Sequence, residues 1–256
     1  MQDLNVTLVQ ANQAWENKTA NLSNYTRLLE GVTTDLILLP EMFQTGFSMN
    51  TEALKETFKN SPSIQWLQSL AKSKTTAVYT SLIIEEDDAI YNRGVFVFPD
   101  GTIKTYDKRK AFCLAGEDQF FTPGTSETIV DYLGWKFQLQ ICYDLRFPEI
   151  VRNRILPNQQ TAYDAILYIA NWPSKRSSHW NTLLNARAIE NQCYVLAVNR
   201  VGIDQKNHHY NGDSQLITPL GEELKLTNSE ETIKTVVLKG SVLKDVREKL
   251  PFLKDQ

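Results

Sequence analysis

Residues 139–149, LQICYDLRFPE, place Cys142 at the end of an apolar β-like run and directly before a segment that starts a helix. Amides at a helix start favour negative charge, so a thiol at such an elbow can be activated as a thiolate and can face a stabilised oxyanion. A free cysteine is also a small hydrophobe that is often buried. The stretch therefore predicts either a nucleophile or a core residue.

The apolar runs on both sides of this elbow predict a layered α/β fold. Short runs rich in Val, Ile, Leu and Tyr are typical of buried strands. They cover residues 4–10, 35–41, 77–84, 94–99, 136–142, 164–171, 193–199 and 214–219. Amphipathic stretches predict helices over residues 12–30, 61–73, 146–156 and 178–190. Strands that alternate with helices, without a linker or repeat, indicate one domain over residues 1–256.

Composition limits the possible partners. The formal net charge is −3, and the longest basic cluster spans only residues 108–110, which gives no electrostatic footprint for nucleic acid. The N-terminus does not have the pattern of a signal peptide, and no apolar run approaches the roughly twenty residues needed to cross a bilayer. The three cysteines, Cys113, Cys142 and Cys193, are an odd number at unrelated spacings. We therefore expect a cytoplasmic protein without a disulfide framework and without a nucleic-acid or membrane partner.

Polar residues follow several of the predicted strands at their carboxyl ends. Glu41 comes after the run 35–40, Cys142 after 136–141, and Asn171 begins an Asn-Trp-Pro sequence after 164–170. Ligands bind at this edge of open α/β sheets, so these residues predict a shared site. Taken alone, an acid such as Glu41 is more often solvated or capping a helix, and its role stays open on this evidence.

The histidines do not identify a base for the thiol. His179 lies near the start of a predicted helix, where capping or packing is the ordinary role, and His208 and His209 lie together in a polar loop. Adjacent residues rarely converge on one metal ion, so we predict no metal site. A carboxylate is the alternative base.

Several motifs occur in a fixed order along the chain, namely LLPEMFQTGFS (38–48), YDKRKAF (106–112) followed by GE (116–117), LQICYDLRFPE (139–149), NWP (171–173) and ARAIENQCYVLAVNRVG (186–202). In this order they resemble the nitrilase superfamily of carbon–nitrogen hydrolases. The resemblance is strongest to the ω-amidases that hydrolyse 2-oxoglutaramate and 2-oxosuccinamate. It implies a four-layer α-β-β-α sandwich, a homodimer, an amide substrate with water as co-substrate, and no cofactor.

The resemblance also implies the catalytic roles. Glu41 matches the general base, Lys108 the cation that stabilises the oxyanion, and Cys142 the nucleophile that forms a thioester. Glu117 matches a second glutamate that supports these three, and the backbone N–H of Tyr143 is expected to share the oxyanion. Elementary chemistry agrees, because a carboxylate can take the thiol proton while a nearby ammonium stabilises the tetrahedral intermediate.

An anionic substrate needs a cationic anchor, and the candidates are Arg146 and Arg176. Each could equally be an ordinary ion-paired or solvated side chain. Aromatic candidates for the pocket wall are Phe43, Tyr143 and Trp172, although aromatics at strand ends are often core. Many relatives have histidine and leucine where this chain has Lys110 and Ala111, which leaves the substrate preference open.

Four other functions are alternatives to an ω-amidase. An N-carbamoyl amino acid amidohydrolase or a nitrilase would share the motifs and differ in the pocket. A catalytically silent interaction protein on the same scaffold is disfavoured because Glu41, Lys108, Glu117 and Cys142 are all retained. A glutaminase domain that feeds a synthetase is not expected, since the chain ends at Gln256.

Overall fold

The computed structural model describes residues 1–226 and 229–255, and these form two β-sheets with helices outside them. The strands of the first sheet are β1 (Leu4–Gln10), β2 (Leu36–Leu38), β3 (Glu56–Thr57), β4 (Ala77–Glu86), β5 (Ala89–Val97), β6 (Ile103–Asp107) and β15 (Thr232–Leu238). Their order is β15-β1-β2-β4-β5-β6, and β3 pairs with β4.

The second sheet has the order β14-β13-β10-β9-β8-β7. Its strands are β7 (Ile129–Tyr132), β8 (Trp135–Ile141), β9 (Ala165–Ala170), β10 (Tyr194–Asn199), β13 (Gln215–Ile217) and β14 (Glu223–Lys225). A separate hairpin pairs β11 (Val201–Ile203) with β12 (His209–Asn211). Each predicted strand appears, and the structure adds β3, β6, β7, β11, β12, β14 and β15, of which β14 and β15 lie after the last predicted strand.

The helices are α1 (Lys18–Leu28), α2 (Thr51–Leu54), α3 (Pro62–Lys74), α4 (Ser177–Asn191) and α5 (Gly240–Lys249). N-cap side chains stabilise the first turn of two of these helices. Asn17 accepts a hydrogen bond from the amide of Ala20 at the start of α1, and Ser61 accepts one from the amide of Ile64 at the start of α3. None of the helices in the described ranges is both long and apolar enough to cross a membrane.

Strand β2 shows how the layers are packed. Leu36 and Leu38 belong to the core between the two sheets, whereas Ile37 and Leu39 belong to the core beneath α1 and α3. Successive side chains of a strand point to opposite faces, so a continuous apolar run is buried on both sides. The two sheets pack directly against each other. For example, the ring of Phe96 on β5 stacks on the ring of Phe137 on β8, with 6.4 Å between the ring centroids. Helix α4 covers the second sheet, and the predicted four-layer sandwich is confirmed.

The predicted helix over residues 146–156 is wrong. The structure has short 3₁₀ turns at Cys142–Arg146 and Pro148–Ile150, followed by irregular chain. Pro148 has no amide hydrogen and disfavours helical geometry at the residue before it, and Phe147 accordingly has φ −114° and ψ 86°. The first predicted helix also begins later, at Lys18, because residues 12–17 run irregularly towards the loop after β2.

Parallel pairing sets the position of the functional residues. Strand β2 runs parallel to β1 and β4, and β9 runs parallel to β8 and β10. The carboxyl ends of parallel strands lie at one edge of a sheet. Glu41 follows β2 of the first sheet, and Cys142 and Asn171 follow β8 and β9 of the second, so packing of the two sheets brings them to one edge of the sandwich.

Candidate active site

Two residues at this edge have left-handed backbone geometry that is unusual without glycine. Cys142 has φ +47° and Met42, directly after Glu41, has φ +45°. Such conformations cost of order 1–3 kcal/mol each and persist only where the surroundings hold them. The amide of Met42 donates to Ser81 Oγ at 2.9 Å, and Gln13 Nε2 donates to the carbonyl of Glu41 at 3.0 Å. The turn that carries Glu41 is thus held from two sides.

A buried ion cluster lies at the centre of the site. Lys108 Nζ is 3.1 Å from Glu41 Oε1 and 2.9 Å from each carboxylate oxygen of Glu117. Lys108 is 4% exposed, Glu41 0% and Glu117 1%. Burying three charges is costly unless each is paired and hydrogen-bonded, which is the case here. The structure therefore brings together three of the four predicted catalytic side chains in direct contact.

Asparagines complete the hydrogen bonds of the glutamates. Asn92 Nδ2 donates to Glu41 Oε1 at 2.8 Å and to Glu117 Oε1 at 3.3 Å. The amide of Asn171 donates to Glu41 Oε2 at 2.9 Å, and the amide of Phe112 donates to Glu117 Oε2 at 2.6 Å. Both carboxylates are consequently fixed in orientation by groups on other elements.

The fourth predicted catalytic residue, Cys142, lies beside this cluster with Sγ 4.0 Å from the carbonyl oxygen of Asn171. Burial and the negative charge of Glu41 raise the pKa of the Cys142 thiol well above its ordinary value, and Lys108 only partly opposes this. Burial alone would lower the pKa of Lys108, but the charges of Glu117 and Glu41 outweigh it and raise that pKa. The resting site thus holds an ammonium ion and a neutral thiol.

Asp144 stabilises the turn at Cys142 through hydrogen bonds. One of its carboxylate oxygens accepts hydrogen bonds from the amide of Ile141 and the hydroxyl of Tyr106, and the other accepts from the amide of Lys110. Burial raises the pKa of this fully buried carboxyl to about 6. The bonds join the end of β8 to the segment after β6, and so they tie Cys142 to the strand that leads into Lys108.

A cavity of about 360 Å³ opens above Cys142 and Lys108. This volume suits a small ligand. Of the residues predicted to bind substrate, Arg146, Trp172 and Arg176 line it, together with Tyr143. Further lining residues include Phe47, Met49, Phe112, Leu114, Asn171, Asp204, Lys206, His208 and Tyr210.

The two predicted arginine anchors have no carboxylate partner among the described residues. The Arg146 guanidinium lies 4.7 Å from the ring centre of Trp172 and 3.3 Å from His179 Nδ1. The Arg176 guanidinium lies 5.3 Å from the ring centre of Phe112. Both charges are therefore available to an anionic ligand. Lys110, by contrast, pairs with Glu149 at 3.6 Å and does not line the cavity.

Phe43 does not line the cavity, contrary to the prediction from sequence. Its ring is fully buried and packs between Tyr25 and Trp66, beneath α1 and α3, instead of lining the cavity. The left-handed turn at Met42 redirects the chain, so the residue two positions after Glu41 points into the helix-side core. The aromatic wall on this loop is supplied by Phe47.

Sequence reasoning missed the β11–β12 hairpin as a wall of the cavity. The buried carboxylate of Asp204 accepts hydrogen bonds from the hydroxyl of Tyr210 and from the amides of Lys206 and His208. These residues follow β10 in a polar stretch whose only distinctive sequence signal was the adjacent histidine pair. Asn92 was also missed, because it lies inside β5 and not at a strand end.

Comparisons with known proteins match nearly the whole chain. The family model described as carbon-nitrogen hydrolase matches residues 5–248. An omega-amidase from Escherichia coli K12 is 39% identical over 257 residues, which cover 100% of this chain and 97% of the relative. A 2-oxoglutaramate amidase from Bacillus subtilis is 32% identical over 230 residues, which cover 88% of this chain and 86% of the relative.

A solved structure is similarly close. A CN-hydrolase superfamily protein from Xanthomonas campestris, crystallised with an arsenic adduct in its active site, has a TM-score of 0.97 and 36% sequence identity. The match covers 100% of this chain and 98% of that one. The similarity therefore extends over the whole sandwich and includes the edge that carries the candidate site.

Proposed function

The chain belongs to the carbon–nitrogen hydrolase family, and we propose that it is an ω-amidase that releases ammonia from small ω-amides of 2-oxo dicarboxylic acids, such as 2-oxoglutaramate and 2-oxosuccinamate. The observation that carries this proposal is the buried Glu41–Lys108–Glu117 cluster beside Cys142, beneath a cavity with two unpaired arginines. The names of the omega-amidase and 2-oxoglutaramate amidase relatives support the same substrate class.

The first half of the proposed reaction forms a thioester. Because the pKa of Cys142 is raised, the thiol needs a base at the moment of attack. Glu41 takes the proton as Sγ bonds to the amide carbon, and the oxyanion is stabilised by the Lys108 ammonium and the N–H of Tyr143. The carbon–nitrogen bond then breaks, and Glu41 delivers the proton to the departing ammonia.

The second half releases the acid. Glu41, again a carboxylate, takes a proton from water as the water oxygen attacks the thioester carbon. The intermediate collapses, the carbon–sulfur bond breaks, and the proton returns to Cys142. Glu117 keeps Lys108 charged throughout, because its carboxylate raises the pKa of that ammonium.

Substrate recognition is proposed to use the cationic wall of the cavity. A 2-oxo acid monoamide carries one carboxylate at the end remote from the amide. With the amide carbon at Cys142, the arginines at positions 146 and 176 can receive that carboxylate, and Trp172 can pack on the chain between them. An amino acid amide such as glutamine adds an ammonium group, which these arginines would repel.

An ammonia-release screen tests the proposal. The substrates are 2-oxoglutaramate, 2-oxosuccinamate, glutamine, asparagine, N-carbamoyl amino acids and simple nitriles. We expect turnover of the two 2-oxo amides, and activity confined to carbamoyl compounds or nitriles would overturn the substrate assignment. Cys142→Ala is expected to abolish turnover, and Glu41→Gln and Lys108→Ala are expected to come close, since residues that act as a unit fail together.

We further propose that residues 1–256 act as one domain in a cytoplasmic homodimer. The match of the family model over residues 5–248 supports the single domain. Cys113, Cys142 and Cys193 are free thiols, which supports a reducing compartment. Ile189 on α4 is 50% exposed and lies against the turn at Gly221, where neighbouring Leu220 is 53% exposed, and this apolar surface supports a second copy as its cover.

A further inference from the structure

Asn92 contacts all three charged members of the buried cluster. It lies on β5 and is 2% exposed. Its side-chain amide donates to Glu41 Oε1 and Glu117 Oε1, while its backbone carbonyl accepts a hydrogen bond from the amide of Lys108 at 3.0 Å. A neutral side chain in this position can therefore influence which carboxylate oxygens remain open to a proton.

The supply of donors differs between the two glutamates. Each oxygen of Glu117 accepts two hydrogen bonds, one of them from Lys108 and the other from Asn92 or the amide of Phe112. Oε1 of Glu41 also accepts two, from Lys108 and Asn92. Among the described residues, Oε2 of Glu41 accepts only one, from the amide of Asn171. This oxygen has an acceptor position left over.

We propose that Asn92 is a positioning residue that, with Lys108, occupies Oε1 of Glu41 and so assigns Oε2 as the oxygen that takes the thiol proton. The inference rests on the proposed function, in which Glu41 is the base. An oxygen that already accepts from an ammonium and an amide is stabilised as an anion and is poorly placed to receive a proton. Asn171, which holds Oε2, also has its carbonyl oxygen 4.0 Å from Sγ of Cys142.

The same contacts act on the proton transfer from Cys142 to Glu41. Lys108, directly after β6, pairs with both Glu41 and Glu117, and the charge of Glu41 acts in turn on the Cys142 thiol after β8 and on Tyr79 of β4. Lys108 favours the charged carboxylate, and a charged Glu117 opposes it. The Asn92 amide adds a neutral donor that favours the charged form. Its removal should therefore move the pH dependence of proton transfer from Cys142 to Glu41 upward.

The test measures alkylation of Cys142 by iodoacetamide as a function of pH, with Cys113→Ser as the background because that thiol is exposed. In this reaction the sulfur–carbon bond forms, the carbon–iodine bond breaks, iodide leaves, and Glu41 takes the thiol proton. The acid limb of the rate therefore reports the coupled transfer of the thiol proton from Cys142 to Glu41. In Asn92→Ala we expect this limb to move upward by roughly one pH unit, since the lost hydrogen bond is to a charged group.

Two further variants make the outcome decisive. Asn191→Ala removes a buried asparagine of α4 that bonds to Arg187 and Asn153, and it should lower the melting temperature without moving the acid limb. Asn92→Asp keeps the shape but adds a carboxylate, so its limb should move further than that of Asn92→Ala. An unmoved limb in both Asn92 variants, with a loss of melting temperature like that of Asn191→Ala, would overturn the proposal.

The alkylation readout does not depend on amide turnover. If the wild-type protein releases no ammonia from any amide in the screen, the proposed function fails, and the acid limb still reports the role of Asn92. If ammonia is released, kcat of Asn92→Ala at neutral pH should fall while KM stays close to wild type, because Asn92 does not line the cavity.

Discussion

At the scale of single residues, the Cys142 thiol is kept neutral by its surroundings. Burial and the Glu41 carboxylate raise its pKa, and the single ammonium of Lys108 does not compensate. A neutral buried thiol resists unwanted oxidation, because the thiolate is the reactive form. Reactivity is then created when an electrophile is present to accept the electron pair and Glu41 to accept the proton.

The unpaired arginines at the cavity wall give a residue-scale prediction. Arg146→Met and Arg176→Met keep a flexible, unbranched apolar stem and remove the charge. In the variant that loses the carboxylate contact, KM for 2-oxoglutaramate should rise about tenfold to hundredfold, while kcat changes less. A rise of this size is expected because a hydrogen bond between charged groups is lost. Steady-state kinetics measure both constants.

The control is Lys175→Met, which removes a neighbouring exposed charge outside the cavity and should leave KM unchanged. An uncharged small amide provides a second comparison, because its KM should not respond to either arginine variant. Unchanged KM for 2-oxoglutaramate in both arginine variants would place the carboxylate elsewhere.

Single residues also show what the sequence could and could not predict. Cys142, Glu41 and Asn171 follow apolar strands, so their convergence was predictable from the topology. The position of Phe43 was not predictable, because the direction of its side chain depends on the left-handed turn at Met42. Methionine is not a residue type that signals such a turn. Asn92 carried no signal either, since a polar residue within a strand usually faces solvent.

At the scale of elements, the elbow after β8 depends on Asp144. Its carboxylate accepts from the amides of Ile141 and Lys110 and from the Tyr106 hydroxyl, so it joins the end of β8 to the segment after β6. The 3₁₀ turn Cys142–Arg146 ends at Phe147, because Pro148 disfavours helical geometry at the residue before it. An amphipathic pattern alone predicted a longer helix, because it records neither the side-chain acceptor nor the effect of Pro148.

Asp144 gives a stability prediction with a definite sign. Burial raises its pKa in the folded protein from 3.8 to about 6, so between these values the folded state binds more protons than the unfolded state. The contribution of the neutral carboxyl is fully present below pH 3.8 and is lost as the pH rises through about 6. The loss amounts to about 3 kcal/mol.

Urea unfolding of the wild type and Asp144→Asn at a series of pH values measures this contribution. The amide variant cannot ionise, so the free energy of unfolding of the wild type relative to the variant should decrease by that amount from pH 4 to pH 7. A difference that does not change with pH would show that the Asp144 carboxyl titrates normally in the folded protein.

The remaining differences between predicted and observed elements have a common cause. Helix α5 buries Leu243 and Val246, three residues apart, yet its sequence is mostly polar and was not predicted. The β11–β12 hairpin, likewise, is short and largely polar on its exposed side. Weakly patterned elements are stabilised by tertiary contacts, such as those of Arg247 with Asp164, Tyr163 and Gln192, which a single sequence does not reveal.

At the scale of the whole molecule, the two sheets carry different residues of the candidate site. The first carries Glu41 and Lys108 at its edge, and the second carries Cys142 and Asn171, so the site exists only where the sheets face each other. The Tyr79 hydroxyl of the first sheet donates to the carbonyl of Gln140 in the second, close to the nucleophile. Packing between the sheets therefore sets the distance between base and thiol, and core substitutions there should affect activity as well as stability.

The proposed homodimer gives the last prediction. Ile189→Glu places a charge on the exposed face of α4, whose apolar neighbour is the turn at Leu220, so it should convert the dimer into monomers. Light scattering after size-exclusion chromatography measures the mass. Leu133→Glu, at an exposed leucine of the β7–β8 turn, is the matched control and should remain dimeric. A wild-type protein that elutes only as a monomer would refute the assembly. Since α4 also packs beneath the elbow, where Arg187 Nη2 donates to the carbonyl of Leu145, monomerisation should lower kcat as well.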